Sequence, residues 1–344
     1  MYNNEIVQKD IKEIVEQDII FSKLKNKNIL ITGATGMLAS YFMFVLMYLN
    51  DKFDYKIKIF ALIRDVKKLE EKTKFSNRKD IIPIEQDVCL NIDINEKIDY
   101  IIHMASSADP KSFTSNPVGV INANVIGSFN VLELAQKNKS ELLFTSTREI
   151  YGKVEKDSIA EDDMGILECA DIRSCYPESK RMAENLICCY AYQYGIIYKI
   201  ARIAHSYGPG MSIKDDGRIM SDLISNVVEG KDILLKSNGE AKRAFCYITD
   251  TVSALFRILL FEKQNEIYNV ANEREEISIK DLAYKLKDMY SEKNIKVIFK
   301  IQENSNQYLK FKRTRLDTQK IEQIGWSPIV SLEEGIRRTV KYFE

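Results

Sequence analysis

The chain has 344 residues, enough for a full α/β domain plus a smaller lobe, because one hydrophobic core seldom grows past about 250 to 300 residues. Its 50 Lys and Arg cancel its 50 Asp and Glu, so no global field draws it to nucleic acid or to an anionic membrane, and any phosphate site must be local. Six cysteines with no CxxC pair and no histidines at metal spacing give no metal-ligand pattern, and together with a start unlike a signal peptide they lead us to expect reduced thiols in the cytoplasm.

In chain order, apolar residues recur at Ile6, Val7, Ile11, Ile14, Val15 and Ile19, a spacing that predicts a docked N-terminal helix within residues 5–24. Residues 28–31 form a short apolar run that stops at Thr32-Gly33 and leads into a helical pattern. The longest apolar stretch, 41–49, lies in that pattern and is about half of the roughly 20 residues a membrane span needs, so a buried helix is expected. Residues 55–63 read as a second parallel strand. The Lys/Glu cluster at 67–80 reads as a solvated loop or helix face. Further buried strands are expected at 81–84, 100–103, 142–145 and 198–203, with helical patterns between most of them. Strands alternating with helices predict an α/β fold with a doubly wound parallel sheet. After Gly208-Pro209-Gly210 the elements shorten, with turn signals at Asn238-Gly239, Asn272 and Pro328. The expected division is a dinucleotide-binding domain over 1–205, with 244–266 returning to it, and a smaller C-terminal substrate lobe over 206–243 and 267–344.

Gly33-Ala34-Thr35-Gly36-Met37-Leu38-Ala39 fits G-x-x-G-x-x-[G/A] directly after a strand and at the opening of a helix. Glycines there let the backbone turn tightly and approach a pyrophosphate, whose charge rests on the free N–H groups of the helix N-terminus. This predicts a Rossmann-type site with Gly33, Thr35, Gly36, Met37 and Leu38 against the cofactor. At the end of the second strand stand Arg64 and Asp65. Asp65 suits the ribose hydroxyls of NAD, whereas Arg64 suits a 2′-phosphate or the adenine face, so NADP stays open beside NAD. Asp87, after the third strand, is a further candidate for the adenine end, and a purely structural role fits it equally.

Tyr176-Pro177-Glu178-Ser179-Lys180 heads a helical run. The spacing of four puts Tyr176 and Lys180 on one helix face, where an ammonium can lower a phenol's pKa. Upstream, Thr147 and Glu149 follow a strand; Thr147 can hydrogen-bond a substrate hydroxyl beside Tyr176, and Glu149 can serve as a second acid or base. Hydroxyls at that position cap helices equally well.

Taken together these residues resemble the extended short-chain dehydrogenase/reductases, specifically the NAD-dependent sugar-nucleotide epimerases, dehydratases and decarboxylases. The resemblance runs from Ile29 to the C-terminus. It includes the phosphate loop, Asp87-Val88, His103-Met104-Ala105, Asn124 through Ser128, Thr147 through Gly152, Tyr176/Lys180 and Tyr207-Gly208-Pro209. Arg243-Ala244-Phe245, Tyr247 through Asp250 and Gly325-Trp326-Ser327-Pro328 complete it. It implies that Tyr176 takes the proton of the sugar 4-OH, that Lys180 is its electrostatic partner and a ribose ligand, and that Thr147 orients the sugar. It adds Val88, Ala105 and Asn124 to the cofactor set. It also implies a substrate set of Ser107, His205, Arg218, Arg243 and Arg313, with Arg315 as the alternative to Arg313. A homodimer built on the Tyr176/Lys180 helix and the helix over 118–136 is implied as well.

Within the family the chain looks most like UDP-glucuronate decarboxylases, on Asn116-Pro117, residues 176–184 (YPESKRMAE), Asp216-Gly217-Arg218 and Arg243-Ala244-Phe245. It departs from them at three places. Arg148 stands where the dehydratases have aspartate and the decarboxylases serine, and an arginine delivers no proton at neutral pH. His205 replaces an asparagine, and Arg64 replaces the usual NAD-selecting acid. The implied chemistry is oxidation at sugar C4 to a transient 4-ketone, followed by decarboxylation, 4-epimerisation, dehydration, or net dehydrogenation or reduction, in that order of expectation. Arg148 is expected to pair with an acid on the sugar and to lie beside Glu149, or else to point away from the cleft. A non-catalytic dinucleotide sensor on the same fold is the alternative of a different class, and it would be expected to lack the Tyr/Lys pair.

Overall fold

The computed structural model describes residues 1–214, 216–300 and 314–344. Seven parallel strands form the central sheet: β1 Asn28–Thr32, β2 Lys58–Ile63, β3 Ile81–Glu85, β4 Tyr100–His103, β5 Glu141–Thr147, β6 Tyr198–Ile203 and β7 Glu266–Val270. Their spatial order is β7-β6-β5-β4-β1-β2-β3. The order reverses between β1 and β4, which opens a crevice at the carboxyl ends of the strands, where doubly wound sheets bind their ligands.

The near-continuous apolar strands follow from burial on both faces. In β1, Ile29 and Ile31 point into one core and Leu30 into the other; β2 divides Ile59, Ala61 and Ile63 from Phe60 and Leu62 in the same way. The first core is closed by α1 (Glu5–Val15), α2 (Met37–Phe53) and a later helix over Ile248–Leu260, and the second by long helices over Pro117–Asn138 and Cys175–Tyr194. Between them in sequence lie α3 (Val66–Thr73) and α4 (Pro110–Ser115), so the two long helices are α5 and α6.

Several boundaries move from those expected. β2 begins at Lys58 because Tyr55 and Lys56 lie in the turn after α2, with Lys56 at φ 56° and the Asn50 side chain bonded to both N–H and C=O of Ile57. The N-terminal helix stops at Val15, and residues Phe21–Leu24 form a separate 3-10 turn. Strand β7, which the sequence pattern left at the start of the substrate lobe, pairs with β6 over its whole length.

The segments expected to form the substrate lobe hold the helices Ile219–Glu229 and Ile279–Met289 and short strand pairs. Lys242–Ala244 runs antiparallel to Glu276–Ser278, and Ile233–Leu235 runs parallel to Val297–Phe299. A third pair, Ser158–Ile159 with Arg315–Leu316, brings the loop after β5 against the C-terminal segment. Two motifs of the resemblance meet in a clasp: the Asp250 carboxylate accepts from the N–H of Ile329 and Val330, and the Trp326 indole donates to the Asp250 carbonyl.

The N- and C-terminal helices are joined to the Rossmann core through one buried carboxylate. Asp10 of α1 is fully buried and accepts from Tyr41 Oη at 2.9 Å, Tyr247 Oη at 2.8 Å and Arg338 Nη1 at 2.8 Å. Arg338, on the helix Leu332–Phe343, also forks onto Glu13 at 2.6 and 2.9 Å. Removing one partner of a buried pair leaves a charge with no compensation, which costs about 3–5 kcal/mol. Asp10→Ala and Arg338→Met are each expected to lower the free energy of unfolding by about that much in urea titrations. The double variant should lose clearly less than the sum.

Candidate active site

The phosphate loop leaves β1 at Gly33, whose N–H donates to the Leu62 carbonyl of β2 at 3.0 Å. Gly33 has φ +67°, and a Cβ there would stand 2.8 Å from Cα of Ala105. Only glycine lets the loops after β1 and β4 cross this closely. Gly36 caps α2 with extended backbone and no side-chain bond, so the first N–H groups of the helix, at Met37 and Leu38, are open to the crevice. Lys72 of α3 steadies the loop by donating to the Thr35 carbonyl at 2.8 Å. Its burial, with Lys68 nearby, pulls it down to about 8.

From this loop a chain of hydrogen bonds runs to the catalytic helix. Thr32 Oγ1 accepts from the N–H of Met104 and Ala105 and bonds His103 Nδ1 at 2.8 Å. His103 Nε2 meets Ser128 Oγ at 3.1 Å, and Ser128 donates its proton to the Asn124 carbonyl. Asn124 Nδ2 donates to Ser179 Oγ at 2.8 Å, and Ser179 to the carbonyl of Tyr176 at 3.0 Å. Burial, then the charge of Lys180, pushes the imidazole down to about 3, so it is neutral. Because Ser128 has given its one proton to Asn124, Nε2 carries the ring proton and Nδ1 accepts from Thr32.

The residues present fit a dinucleotide. Beside the open helix N-terminus, three buried polar atoms near the carboxyl ends of β4 and β5 and on α5 have no partner among the described residues: Ser106 Oγ, Ser146 Oγ and Asn124 Oδ1. Buried polar groups are ordinarily satisfied, so such orphans mark where a polar ligand docks. At the adenine end, Asp65 caps α3 through a bond from Lys68 N–H at 3.0 Å, while Arg64 is exposed. Asp87 accepts from Cys89 N–H at 2.9 Å; that bond, and then Arg64, hold its carboxyl below the usual range despite partial burial. Val88 packs under Gly127, where a Cβ would come within 2.8 Å of it.

Tyr176 and Lys180 lie in the first turns of α6, and both are buried. The Tyr176 ring stacks on Phe113 of α4 with centroids 4.7 Å apart and planes 15° from parallel, and the Thr147 hydroxyl, which accepts from the Glu149 N–H, is close enough to act on the phenol. Burial raises the phenol well above its ordinary value and the Glu149 carboxylate adds to this; Thr147, Arg218 and Arg173 oppose it. Lys180 reaches down to the Thr145 carbonyl at 2.8 Å, across the Phe144 ring at 4.4 Å. The side chains share a helix face as the spacing predicts. Arg218 and Arg173 add positive charge near the phenol, while one of the three Lys180 donors is engaged on β5. Burial pushes Lys180 down to about 7, with Glu184 acting the other way.

Glu149 pairs with Arg173, at 3.2 Å from Nη1 and 3.4 Å from Nη2, and not with its neighbour Arg148 as expected. Arg148 Nη2 instead donates to the Thr314 carbonyl of the C-terminal segment at 3.2 Å, since side chains on successive residues of the turn point to different sides. Arg218 forks onto the buried Asp216. Ser107 is half-buried in the loop after β4. His205 has φ 48°, a conformation asparagine also tolerates, and packs its ring toward Phe245. Arg243 sits on the strand Lys242–Ala244 and bonds the Lys242 carbonyl. Arg315 is exposed, and Arg313 lies outside the described residues.

Sequence reasoning missed Phe113, Arg173 and the pair behind the catalytic helix. There Arg202 forks onto Glu184 and bonds Tyr151 Oη, which donates to Asn269 at 2.6 Å. Only the four-residue step from Lys180 to Glu184 hinted at the last.

A buried lysine with a lowered pKa carries a testable pH signature. Below about pH 7 Lys180 is charged in both folded and unfolded chains and the burial penalty is complete. As pH rises from there toward the ordinary lysine value, the unfolded chain holds more protons and the folded state gains, at most about 1.4 kcal/mol per pH unit. Relative to Lys180→Met, the cofactor-free wild type is therefore expected to gain stability from pH 7 to pH 10. Parallel stability curves for the two proteins would show that the ammonium is not buried.

Residues 29–271 match the model of the NAD dependent epimerase/dehydratase family. UDP-glucuronic acid decarboxylase 6 of Arabidopsis thaliana is 33% identical over 313 residues, covering 90% of this chain and 87% of that protein. UDP-glucuronic acid decarboxylase 1 of Xenopus tropicalis is 31% identical over 330 residues, covering 94% and 73%. Among solved structures, the UDP-glucose 4-epimerase of Thermotoga maritima with UDP-glucose superposes with a TM-score of 0.76 at 22% identity, over 92% of this chain and 98% of that one. The dTDP-glucose 4,6-dehydratase of Bacillus anthracis in complex with NAD gives 0.73 at 20%, over 92% and 96%. The last two likenesses concern the fold.

Proposed function

The chain belongs to the NAD-dependent epimerase/dehydratase family, and from that premise we propose that it decarboxylates an acidic sugar-nucleotide of the UDP-glucuronate type through a transient 4-keto sugar. The observation that carries the chemistry is the buried Tyr176, stacked on Phe113 at the start of α6, with the buried Thr147 that ends β5 near enough to act on its phenol. The likeness to UDP-glucuronic acid decarboxylases over nine-tenths of the chain supports the choice of sugar.

In this reading Gly33, Thr35, Gly36, Met37 and Leu38 hold the cofactor pyrophosphate, and Ser106, Ser146 and Asn124 offer their unpaired oxygens to its polar groups. When bound, NAD supplies the hydride acceptor at the start of the cycle and the donor at its end. Tyr176 Oη accepts the proton of the sugar 4-OH as that carbon is oxidised. Thr147 donates to the same oxygen and so stabilises the phenolate. Arg218 and Arg173 add positive charge from two sides. The ketone at C4 takes up the electron pair left at C5 as CO₂ departs, a proton from solvent replaces CO₂ at C5 and restores the ketone, and the proton taken by Tyr176 returns to the C4 oxygen on re-reduction. Arg148 does not deliver a proton in this scheme, so a 4,6-dehydration lacks its usual acid. Arg64, exposed at the end of β2, favours NADP as a second reading of the cofactor.

Incubation with UDP-glucuronate and the cofactor is expected to give a sugar-nucleotide lighter by one CO₂. An unchanged mass would mark an epimerase, and loss of one water a dehydratase. Tyr176→Phe should lower turnover at least about 100-fold without changing cofactor affinity, since it removes one oxygen that acts in the chemistry. Turnover close to wild type would remove Tyr176 as the base.

A homodimer completes the proposal. Helix α5 is long and apolar enough to cross a membrane by composition, yet it packs along α6. Its outer face leaves Val118, Ile121, Ile126 and Phe129 exposed, with Met182 exposed on α6. A patch of this kind is normally covered by a partner. Sedimentation at micromolar concentration should give a dimer, and Phe129→Glu should give a monomer.

A further inference from the structure

Two features of the site belong to neither the phosphate loop nor the Tyr/Lys pair. One is the short turn Ile172–Ser174 just before α6, and the other is the helix α4 that carries Phe113. Asp171 caps the turn by accepting from Arg173 N–H at 2.9 Å, which fixes where the Arg173 side chain starts. The guanidinium carbon then lies 4.8 Å from the centre of the Phe113 ring, which is itself stacked with Tyr176. Phe113 is thus in contact with both Arg173 and Tyr176, and the Arg173 charge acts on the Tyr176 phenol. Glu149 closes the group from the turn after β5, held to Arg173 at 3.2 Å.

The geometry of that ion pair is incomplete. Arg173 Nη1 is buried and sits at ion-pair distance from Glu149, but it makes no hydrogen bond; the one bond formed is the 3.4 Å contact from Nη2. A guanidinium has five N–H donors in a fixed fork, and a carboxylate engages two of them. Arg173 therefore keeps donor capacity beside the reacting phenol. The pair is also reachable, since the Arg173 and Glu149 side chains are 40% and 35% exposed, whereas the phenol beside them is buried. The other guanidinium acting on the phenol, Arg218, is forked onto Asp216 at both ends of its planar edge. Arg148 is turned to the Thr314 carbonyl.

We propose that Arg173 is the specificity-determining residue for the acidic sugar, its guanidinium shared between Glu149 and the substrate carboxylate while Phe113 holds it in plane. The inference rests on the decarboxylase reading and adds to it the cation that selects a uronic acid over the neutral sugar. Glu149 tunes the selection: it orients the fork, and its negative charge opposes a second carboxylate beside it, so that binding of the acid stays weaker than the arginine alone would allow.

Calorimetric titration of the cofactor-loaded protein with UDP-glucuronate and with UDP-glucose tests this without relying on turnover. Arg173→Gln is expected to weaken UDP-glucuronate roughly 10- to 100-fold, the loss of one charge-assisted contact, and to leave UDP-glucose nearly unchanged. Arg173→Lys should recover part of the loss, because the charge stays but the fork is gone. Glu149→Gln should tighten UDP-glucuronate and not UDP-glucose. Equal losses for both ligands in Arg173→Gln would make Arg173 a structural residue only, and no loss for either would remove it from the site; each overturns the inference. The two readings fail differently. If wild type decarboxylates UDP-glucuronate while discrimination survives in Arg173→Gln, the role of Arg173 falls and the function stands. If wild type neither prefers nor decarboxylates the acidic ligand, both fall. Should Arg173→Gln not fold, the Lys and Glu149→Gln variants decide by the same comparison.

Discussion

Everything at the site depends on a buried row of hydrogen bonds that crosses from the first strand to the catalytic helix. Thr32, His103, Ser128, Asn124 and Ser179 form it, and it ends on the backbone carbonyl of Tyr176. Each member is more than nine-tenths buried, so water cannot substitute for a missing partner, and a broken link leaves a desolvated polar group at a cost of about 1–3 kcal/mol. That penalty fixes the rotation and depth of α6 relative to the loop that receives the pyrophosphate. Hydride transfer needs those two parts aligned within a fraction of an ångström. A neutral imidazole is the right centre for such a row, since it offers one donor and one acceptor. The charge of Lys180 nearby works against a second proton on it.

The same burial explains why the resting site does not hold a phenolate. Tyr176 is stacked on Phe113, and its neighbours include a carboxylate, so its proton is held tightly. Lys180 in turn is close to losing its charge. Groups that hydrogen-bond the charged forms would act against both shifts. The buried pair Arg202–Glu184 keeps one negative charge a helical turn beyond Lys180. That charge limits how far the lysine is pushed down.

The sheet was legible in the sequence because strands buried on both faces must be apolar throughout, and the phosphate loop because only glycine allows the crossing at Ala105. Tyr176 and Lys180 were legible as a helical spacing. Strand β7 was not, since Glu266-Ile267-Tyr268-Asn269-Val270 includes polar residues whose partners, Lys263 and Lys320 for Glu266 and Tyr151 for Asn269, come from elsewhere in the fold. Asp65, read as a ribose ligand, also caps α3 through one carboxylate oxygen, a second role that the sequence reading did not give it. The partner of Glu149 could not be read at all. Arg148 is adjacent in sequence and Arg173 is 24 residues away, and only the turn direction after β5 decides between them.

That turn also gives the departure at Arg148 a physical meaning. The short serine or aspartate that the resemblance places there stays near its own backbone, while an arginine reaches several ångströms further. Here it reaches across to the Thr314 carbonyl, the residue that leads into the strand Arg315–Leu316. That strand pairs with Ser158–Ile159, and Asn269 bonds the carbonyls of both Ile159 and Asp317. Asn269 is bonded in turn by Tyr151, which is bonded by Arg202, which is paired with Glu184 on the catalytic helix. The C-terminal segment is thus tied at one end to the loop carrying Thr147 and Glu149, and at the other to the back of the helix carrying Tyr176 and Lys180. At position 148 this chain thus carries a side chain that holds the turn after β5 to the C-terminal segment.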